Sequence, residues 1–302
     1  MSKKAKTCLI LHKKSAARPE VREAVEHCSA LGHDLQVWIP WRGRDRRKLI
    51  DRAIKDGYER IIAGGGDGTL NKVVNAILRK PRKGKISLGL LPLGTANDFA
   101  FGAGLPKEDL KVCLEIAITG EATPIDVGRV NGRYFINVAS GGFGAEVTAT
   151  TPQDFKKALG GAAYTLMGMA KAFSLKPHNA QFTTDDGVRR DTTIIAMAVG
   201  NNRFAGGGFE VAPKADMRDG LLDFSIMTAE TDLGPAAFAA ELKNPFDDDN
   251  KLLRYHQSST LVVEADRPLH LNLDGEPVIG TRFEFDVLKH GLPVVLGASQ
   301  TP

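Results

Sequence analysis

Between Ile61 and Asn71 the chain reads Ile-Ile-Ala-Gly-Gly-Gly-Asp-Gly-Thr-Leu-Asn, an uncharged apolar run leading into four glycines within five positions. A helical pattern follows, with Thr69 predicted to cap it. A strand that passes through a tight turn straight into a helix is the opening of a βαβ unit, and it commits this part of the chain to an α/β layer. In an open sheet such a turn lies at the carboxyl edge, where glycine lets main-chain N–H groups approach phosphate oxygens with no Cβ in the way. Gly64, Gly65, Gly66, Asp67, Gly68, Thr69, Leu70, Asn71 and Lys72 are therefore candidates for a phosphate cradle, although the bare spacing also fits a purely structural turn. The segment is no Walker A loop, because no Gly-Lys-Ser/Thr follows, and no dinucleotide G-x-G-x-x-G, because Thr69 holds the last glycine position.

The surrounding sequence supports the α/β reading. Thr7 to Leu11, Asp34 to Trp41, Arg60 to Ala63 and Ser87 to Leu91 read as strands, alternating with helix-like stretches at Pro19 to Leu31, Arg44 to Lys55, Thr69 to Arg79 and Lys107 to Ile118. This predicts a doubly wound domain over residues 1–125. A second turn follows the fourth strand: Pro92-Leu93-Gly94-Thr95-Ala96-Asn97-Asp98. Gly94 ends the strand, Thr95 is expected to cap the next helix, and Asn97 and Asp98 are expected to face the crevice. Two polar glycine turns at one sheet edge converge on one ligand, which strengthens the phosphate or nucleotide reading. Asp67 beside phosphates calls for a divalent cation or for N–H donors within its own loop.

After Pro124 the texture becomes strand-like runs around Asn131-Gly132, Asp186-Gly187, Asp219-Gly220 and Asp274-Gly275, dipeptides typical of hairpins. A mainly antiparallel β-sandwich or curled sheet is expected over residues 126–286, with residues 287–302 returning to the first domain. One apolar helical face from Leu159 to Phe173 interrupts it, and a second helix is expected from Leu233 to Leu242.

Two carboxylate turns in this half carry possible chemistry. Asp216, Asp219 and Asp223 surround one Asp-Gly turn, and hard oxygen ligands there suit magnesium or calcium, or simply a solvated hairpin. Asp274 and Glu276 end an alternating strand, where a carboxylate could take a proton from an attacking hydroxyl or merely decorate a turn. The seven histidines lack metal-ligand spacing and no Gly-x-Ser-x-Gly is present, so zinc hydrolysis and serine acyl transfer are unsupported.

Charge and cysteine usage bound the partners. Residues 1–60 hold 15 Lys/Arg against 8 Asp/Glu, densest from Arg42 to Lys48, which reads as a solvated helix start or an anion-facing patch. No nucleic-acid-binding signature accompanies it. Cys8, Cys28 and Cys113 are an odd set without C-x-x-C spacing, as expected of buried thiols in a reducing compartment. The apolar run at Cys8 to Leu11 is too short for a secretory signal, so a cytoplasmic address is expected.

Taken together, Gly64-Gly65-Gly66-Asp67-Gly68-Thr69 and Leu91-Pro92-Leu93-Gly94-Thr95-Ala96-Asn97-Asp98-Phe99-Ala100 resemble the diacylglycerol-kinase-type lipid kinase catalytic domain. Ala205-Gly206-Gly207-Gly208, Asp219-Gly220-Leu221-Leu222 and Asn272-Leu273-Asp274-Gly275-Glu276-Pro277 narrow the resemblance to YegS-like bacterial lipid kinases, from about Cys8 to Leu296. The resemblance implies ATP at a cleft between an α/β and a β-rich domain, with phosphates on Gly66 to Lys72 and Thr95. It implies Glu276 as proton acceptor with Asp274 beside it, and a metal site at Asp219 with the positions of Asp216 and Leu221, the last through its carbonyl. Pro40 stands where a nucleotide-contacting Thr is expected, and a carboxylate at 216 stands where the family is commonly apolar. The expected reaction is phosphoryl transfer from Mg·ATP to a membrane lipid hydroxyl, phosphatidylglycerol- or diacylglycerol-like, with transient contact at the inner membrane face. An NAD kinase or other soluble-metabolite kinase, and a non-enzymatic nucleotide-binding module, are the alternatives.

Overall fold

The computed structural model describes residues 5–42, 45–79, 86–142, 177–229 and 249–297, together with residues 236, 240, 241, 244 and 247. Strand β1 (Thr7–Leu11) is buried at all five positions, as expected of a strand covered on both faces, which needs no polar alternation. It lies between β2 (Leu35–Trp38) and β3 (Arg60–Gly65), and β4 (Ser87–Pro92) completes a parallel sheet of order β4-β3-β1-β2.

The crossovers are α1 (Lys13–Ala16), α2 (Pro19–Ala30), α3 (Asp45–Lys55), α4 (Asp67–Leu78), α5 (Asp98–Gly102) and α6 (Leu110–Thr119). Helix α2 packs on α6 and α3 on α4. With right-handed crossovers this strand order puts the two pairs on opposite faces, the doubly wound arrangement. Buried Arg60 ties the layers together, its Nη1 donating to the carbonyls of Ala117 (3.2 Å) and Ile118 (2.6 Å) near the end of α6. Those carbonyls lie in the helix turn that lacks intrahelical donors.

The rest is antiparallel: β5 (Ala122–Val130), β6 (Arg133–Phe135), β7 (Val138–Gly142), β8 (His178–Thr184), β9 (Arg189–Gly200), β10 (Phe204–Ala205), β11 (Phe209–Glu210), β12 (Leu222–Thr228), β13 (Leu253–Ser258), β14 (Thr260–Leu273) and β15 (Glu276–Val295). Asn131-Gly132, Asp186-Gly187 and Asp274-Gly275 form turns between paired strands, as their sequence suggests. Asp219-Gly220 does not. It leads into β12, whose partners are β9 and β13, and the Gly220 N–H goes to Asp126 Oδ2 at 2.7 Å. The predicted helix from Leu159 to Phe173 lies outside the described residues, and of the one expected from Leu233 to Leu242 residues 236, 240 and 241 are helical.

Strand β15 joins the two halves. Along its 20 residues it pairs antiparallel with β14 and β5, and near its end Val294 pairs parallel with Leu88 of β4. Phe283 and Phe285 pack with Phe135, Phe182 and Phe224 in the β-sandwich core, whereas Leu292 and Val294 belong to the core of the α/β layer. One 13-stranded sheet therefore runs through an α/β part and a β-sandwich part. Cys8, Cys28 and Cys113 are free and buried, and burial pushes their thiols up to about 12, 11 and 12. No helix among the described residues is long and apolar enough to cross a membrane.

Candidate active site

The glycine turn after β3 and the turn after β4 touch main chain to main chain. A Cβ on Gly94 would lie 2.5 Å from Gly66 Cα, and one on Gly66 would lie 2.8 Å from Gly94 Cα. Only a residue without a side chain allows this approach. The turns are further joined by the Leu93 N–H, which donates to Gly65 O at 3.0 Å. Gly64 and Gly65 are the last residues of β3, and Asp67 to Lys72 open α4.

Helix α4 begins two residues before the expected cap. Its N-cap is Gly66, whose carbonyl accepts the Thr69 and Leu70 N–H groups, and no side chain caps it. The Thr69 side chain instead packs where a Cβ on Gly65 would sit. Likewise Thr95 does not cap α5; Asn97 does by position, in the left-handed region at φ 53. The Asn97 side chain turns back onto Gly94, accepting its N–H at 2.9 Å and donating to its carbonyl at 3.0 Å. Thr95 lines a cavity of about 610 Å³ beside Arg18, Lys107 and Lys111.

Asp67 finds its donors outside its own loop. Its carboxylate accepts the N–H groups of Asp98 (3.2 Å) and Phe99 (3.0 Å), capping α5 from a neighbouring turn, and Asn137 Nδ2 (3.1 Å). Asp98 is buried, and its Oδ1 accepts the N–H groups of Gly207 (2.9 Å) and Gly208 (2.7 Å). Burial, followed by the charge of Asp67, holds the Asp98 carboxyl above its usual range. Asp98 thus fastens the glycine loop of the β-sandwich to the α/β layer.

The Asp274-Gly275 turn reaches the same place from the other side. Asp274, at φ 49, accepts N–H groups from Ile136 (2.6 Å), Asn137 (3.0 Å) and Val138 (3.0 Å), together with Asn71 Nδ2 (3.0 Å). Burial pushes its carboxyl up to about 6 against those donors. Its main-chain carbonyl lies opposite Gly68, 3.8 Å from where a Cβ would stand. Two residues on, Glu276 Oε1 pairs with Lys72 Nζ at 2.7 Å, both side chains about half exposed. The helix that opens at the glycine turn and the hairpin of the β-sandwich therefore share one wall.

Three asparagines that the sequence reading did not single out complete the junction. Asn201 Nδ2 donates to the carbonyls of Asp126 and Ile136, and Asn202 Nδ2 donates to Asn137 Oδ1 at 3.0 Å. Their signal was present: Asn137 is polar inside an apolar run, and Asn201-Asn202 directly follow a buried strand.

Asp216, Asp219 and Leu221 of the expected metal set lie together in the segment that leads into β12. Asp216 Oδ1 pairs with Arg218 Nε at 3.3 Å, and Asp219 Oδ1 accepts the Leu221 N–H at 2.9 Å. Among the described residues no three His, Cys, Asp or Glu side chains are grouped to hold an ion. Asp219 is held above its usual range by burial, then by the charges of Asp216 and Asp126. Pro40 is buried in the loop after β2, followed by Trp41, which is 85% exposed with Lys13 Nζ 5.6 Å from its ring centre. Having no N–H, Pro40 offers a ligand only its carbonyl.

A parallel α/β layer with glycine turns at its carboxyl edge, locked to a β-sandwich that contributes a carboxylate hairpin, defines a kinase of the diacylglycerol kinase-like class. Residues 6–130 match the diacylglycerol kinase catalytic domain, and residues 137–296 match the YegS C-terminal NAD kinase beta sandwich-like domain. The chain belongs to this family. A Chromohalobacter salexigens protein named "Probable lipid kinase YegS-like" is 42% identical over 92% of this chain and 88% of its own length. A Pseudomonas aeruginosa protein of the same name is 41% identical over 98% and 95%. A solved diacylglycerol kinase from Bacillus anthracis str. Sterne, 18% identical, superposes with a TM-score of 0.78 over 99% of both chains, showing the shared fold.

Proposed function

We propose that this enzyme transfers the γ-phosphoryl group of Mg·ATP to the hydroxyl of a membrane lipid. The observation that carries the reading is the Lys72–Glu276 pair at 2.7 Å, which sets a carboxylate from the β-sandwich hairpin against the first turns of the helix that opens at the glycine cradle. Phosphoryl transfer demands mainly positioning and charge neutralisation. The first N–H groups of α4 have no intrahelical acceptor and sit at the positive end of its dipole, suited to the β- and γ-phosphates. Gly94 and Thr95 extend the cradle along the neighbouring turn. Magnesium enters with the nucleotide as part of the substrate.

In this reading Glu276 accepts the proton of the acceptor hydroxyl, whose oxygen forms the new bond to Pγ while the bond from Pγ to the β,γ-bridging oxygen breaks and ADP leaves. Lys72 orients Glu276 and offers its charge to the transferring group. Asp274, tied to three successive main-chain N–H groups, fixes the hairpin and so the position of Glu276. The relatives' names supply the lipid as acceptor class.

The test is transfer of radiolabelled γ-phosphate with Mg²⁺ to a panel of micellar lipids, NAD and small alcohols, comparing the native chain with Glu276→Gln. Label on a lipid, falling by about 10²-fold or more in the variant, supports the reading. Label confined to a soluble acceptor replaces the lipid; an unaffected Glu276→Gln removes the proton-acceptor assignment.

A further inference from the structure

The large apolar side chains that this fold leaves exposed are gathered at one end of it. Of the seven among the described residues, four lie at the carboxyl edge of the parallel sheet. Ile39 and Trp41 stand in the loop after β2, Phe101 lies in α5 just beyond β4, and Val112 is in the first turn of α6. Arg60, at the start of β3, holds the last turn of α6, so the first turn of that helix is at the opposite, carboxyl edge. In the order β4-β3-β1-β2 these groups stand on either side of the glycine turn that follows β3. Trp41 is 85% exposed and Phe101 46%, although folding ordinarily hides rings of this size.

The rings also carry cations. Lys13 Nζ lies 5.6 Å from the centre of the Trp41 ring, and Lys107 Nζ lies 5.3 Å from that of Phe101. Phe101 meets Phe204 edge to face with ring centres 4.6 Å apart, and the Arg203 guanidinium is 5.4 Å from the Phe204 ring. Lys14 is exposed beside Lys13. The acids nearby are engaged: Asp67 and Asp98 accept main-chain N–H groups, Asp109 caps α6, Glu20 pairs with Arg18 at 2.8 Å and Glu23 with Lys111 at 3.4 Å. Exposed Glu108 is outnumbered by Lys13, Lys14 and Lys107. An exposed ring with a cation over its face matches the boundary of an anionic bilayer, where the ring sits at head-group depth and the cation meets lipid phosphates. A protein partner would cover one continuous apolar patch, whereas these side chains are set apart across the edge.

Resting on the lipid-kinase reading above, we infer that the carboxyl edge of the α/β layer is the surface that docks on an anionic bilayer. Trp41 and Phe101 enter the head-group layer on either side of the glycine turn, while Lys13, Lys14 and Lys107 meet its phosphates. The Lys72–Glu276 pair stands by the first turns of α4 at the same edge. Docking therefore brings a lipid hydroxyl toward the carboxylate while the acyl chains stay in the bilayer.

The experiment measures partition of the full chain onto vesicles of phosphatidylcholine alone and with about 30 mol% phosphatidylserine, an anionic lipid. Neither lipid has a free hydroxyl to phosphorylate, so binding reports the surface rather than the acceptor. The native chain is expected to prefer the anionic vesicles. Trp41→Ala and Phe101→Ala are each expected to weaken that binding about fivefold or more, and Lys13→Gln combined with Lys107→Gln about tenfold or more at low salt. Leu31→Ala, at the far end of α2, and Val188→Ala, between β8 and β9, are expected to bind as the native chain does. Trp41 projects into solvent, so its variant reports even where Phe101→Ala loosens the contact with Phe204. Undiminished vesicle binding by Trp41→Ala overturns the inference, and so does an equal loss in Leu31→Ala. A loss of ADP affinity in Trp41→Ala that matches its loss of vesicle binding reassigns the ring to the nucleotide. A native chain that labels lipid but ignores the vesicles overturns the docking surface and leaves the kinase reading standing. Vesicle binding that depends on Trp41 and Phe101, with label on no lipid, upholds the surface and overturns the acceptor.

Discussion

Replacing Gly94 by alanine puts the contact between the two glycine turns under direct test. The added Cβ would lie 2.5 Å from Gly66 Cα and 2.8 Å from Asn97 Oδ1. Carbon atoms rest at about 3.5 Å or more, so the turns must part by roughly 1 Å. The obstacle on the Gly66 side is main chain, which cannot rotate away as a side-chain tip would. Forced overpacking of this kind costs about 1–3 kcal/mol of stability. A displacement of about 1 Å at a phosphate cradle costs on the order of 10²-fold in rate, because transfer depends on the alignment of the reacting atoms. Gly66→Ala opens the same contact from the other side, so the double variant should lose less than the sum of the two single losses. Urea unfolding, ADP calorimetry and single-turnover phosphoryl transfer on all three variants measure these effects. Gly94→Ala within twofold of the native chain in both ADP affinity and rate, with unfolding unchanged, would refute the claim that the turns act as one cradle.

Cys8, Cys28 and Cys113, with thiols pushed up to about 12, 11 and 12, should resist a thiol reagent at pH 8 in the native state and react only at the rate of unfolding, as followed by mass spectrometry in a urea series. Asp98 is held above its usual value by burial and by Asp67, so the folded chain binds that proton more tightly than the unfolded one; its contribution to stability is greatest in acid and declines as the pH rises above about 4. Asp98→Asn, which keeps an acceptor for Gly207 and Gly208, should flatten that decline in urea unfolding at pH 4.5 and 7; an unaltered slope contradicts it. Glu276→Gln should leave the unfolding free energy within about 1 kcal/mol, because a half-exposed ion pair contributes little, while transfer collapses. A loss of several kcal/mol would make Glu276 a structural residue.

The strands of the α/β layer were readable because they are short, buried on both faces and punctuated by glycine; the reading of Thr7 to Leu11 matches β1 at both ends. Helix starts were less so. Thr69 and Thr95 have the chemistry of caps, yet the main chain of Gly66 and the side chain of Asp67 take over those tasks through contacts between turns that local sequence does not encode. Asp219-Gly220 resembles a hairpin locally, but its Gly220 N–H answers to Asp126, 94 positions earlier. The pairing of Val294 with Leu88 is longer in range still. In the site, the glycine turns and the Asp274 hairpin announced themselves as motifs. The surface around it did not, since Trp41 and Phe101 share one edge only through the order of the parallel strands.

Strand β15 also bears on how the chain is made. Val294 pairs with Leu88, and Leu292 and Val294 fill the core of a layer whose other buried members all precede residue 137. A ribosome emitting residues in order releases the four parallel strands and their helices long before residue 295 emerges. Through that interval the nascent layer has an open edge along β4 and a gap in its core, both of which invite chaperones or wrong pairings. Under the proposed function, enzymatic competence and escape from that exposed state arrive together, because the strand that completes the α/β layer is also the strand that carries the proposed proton acceptor Glu276.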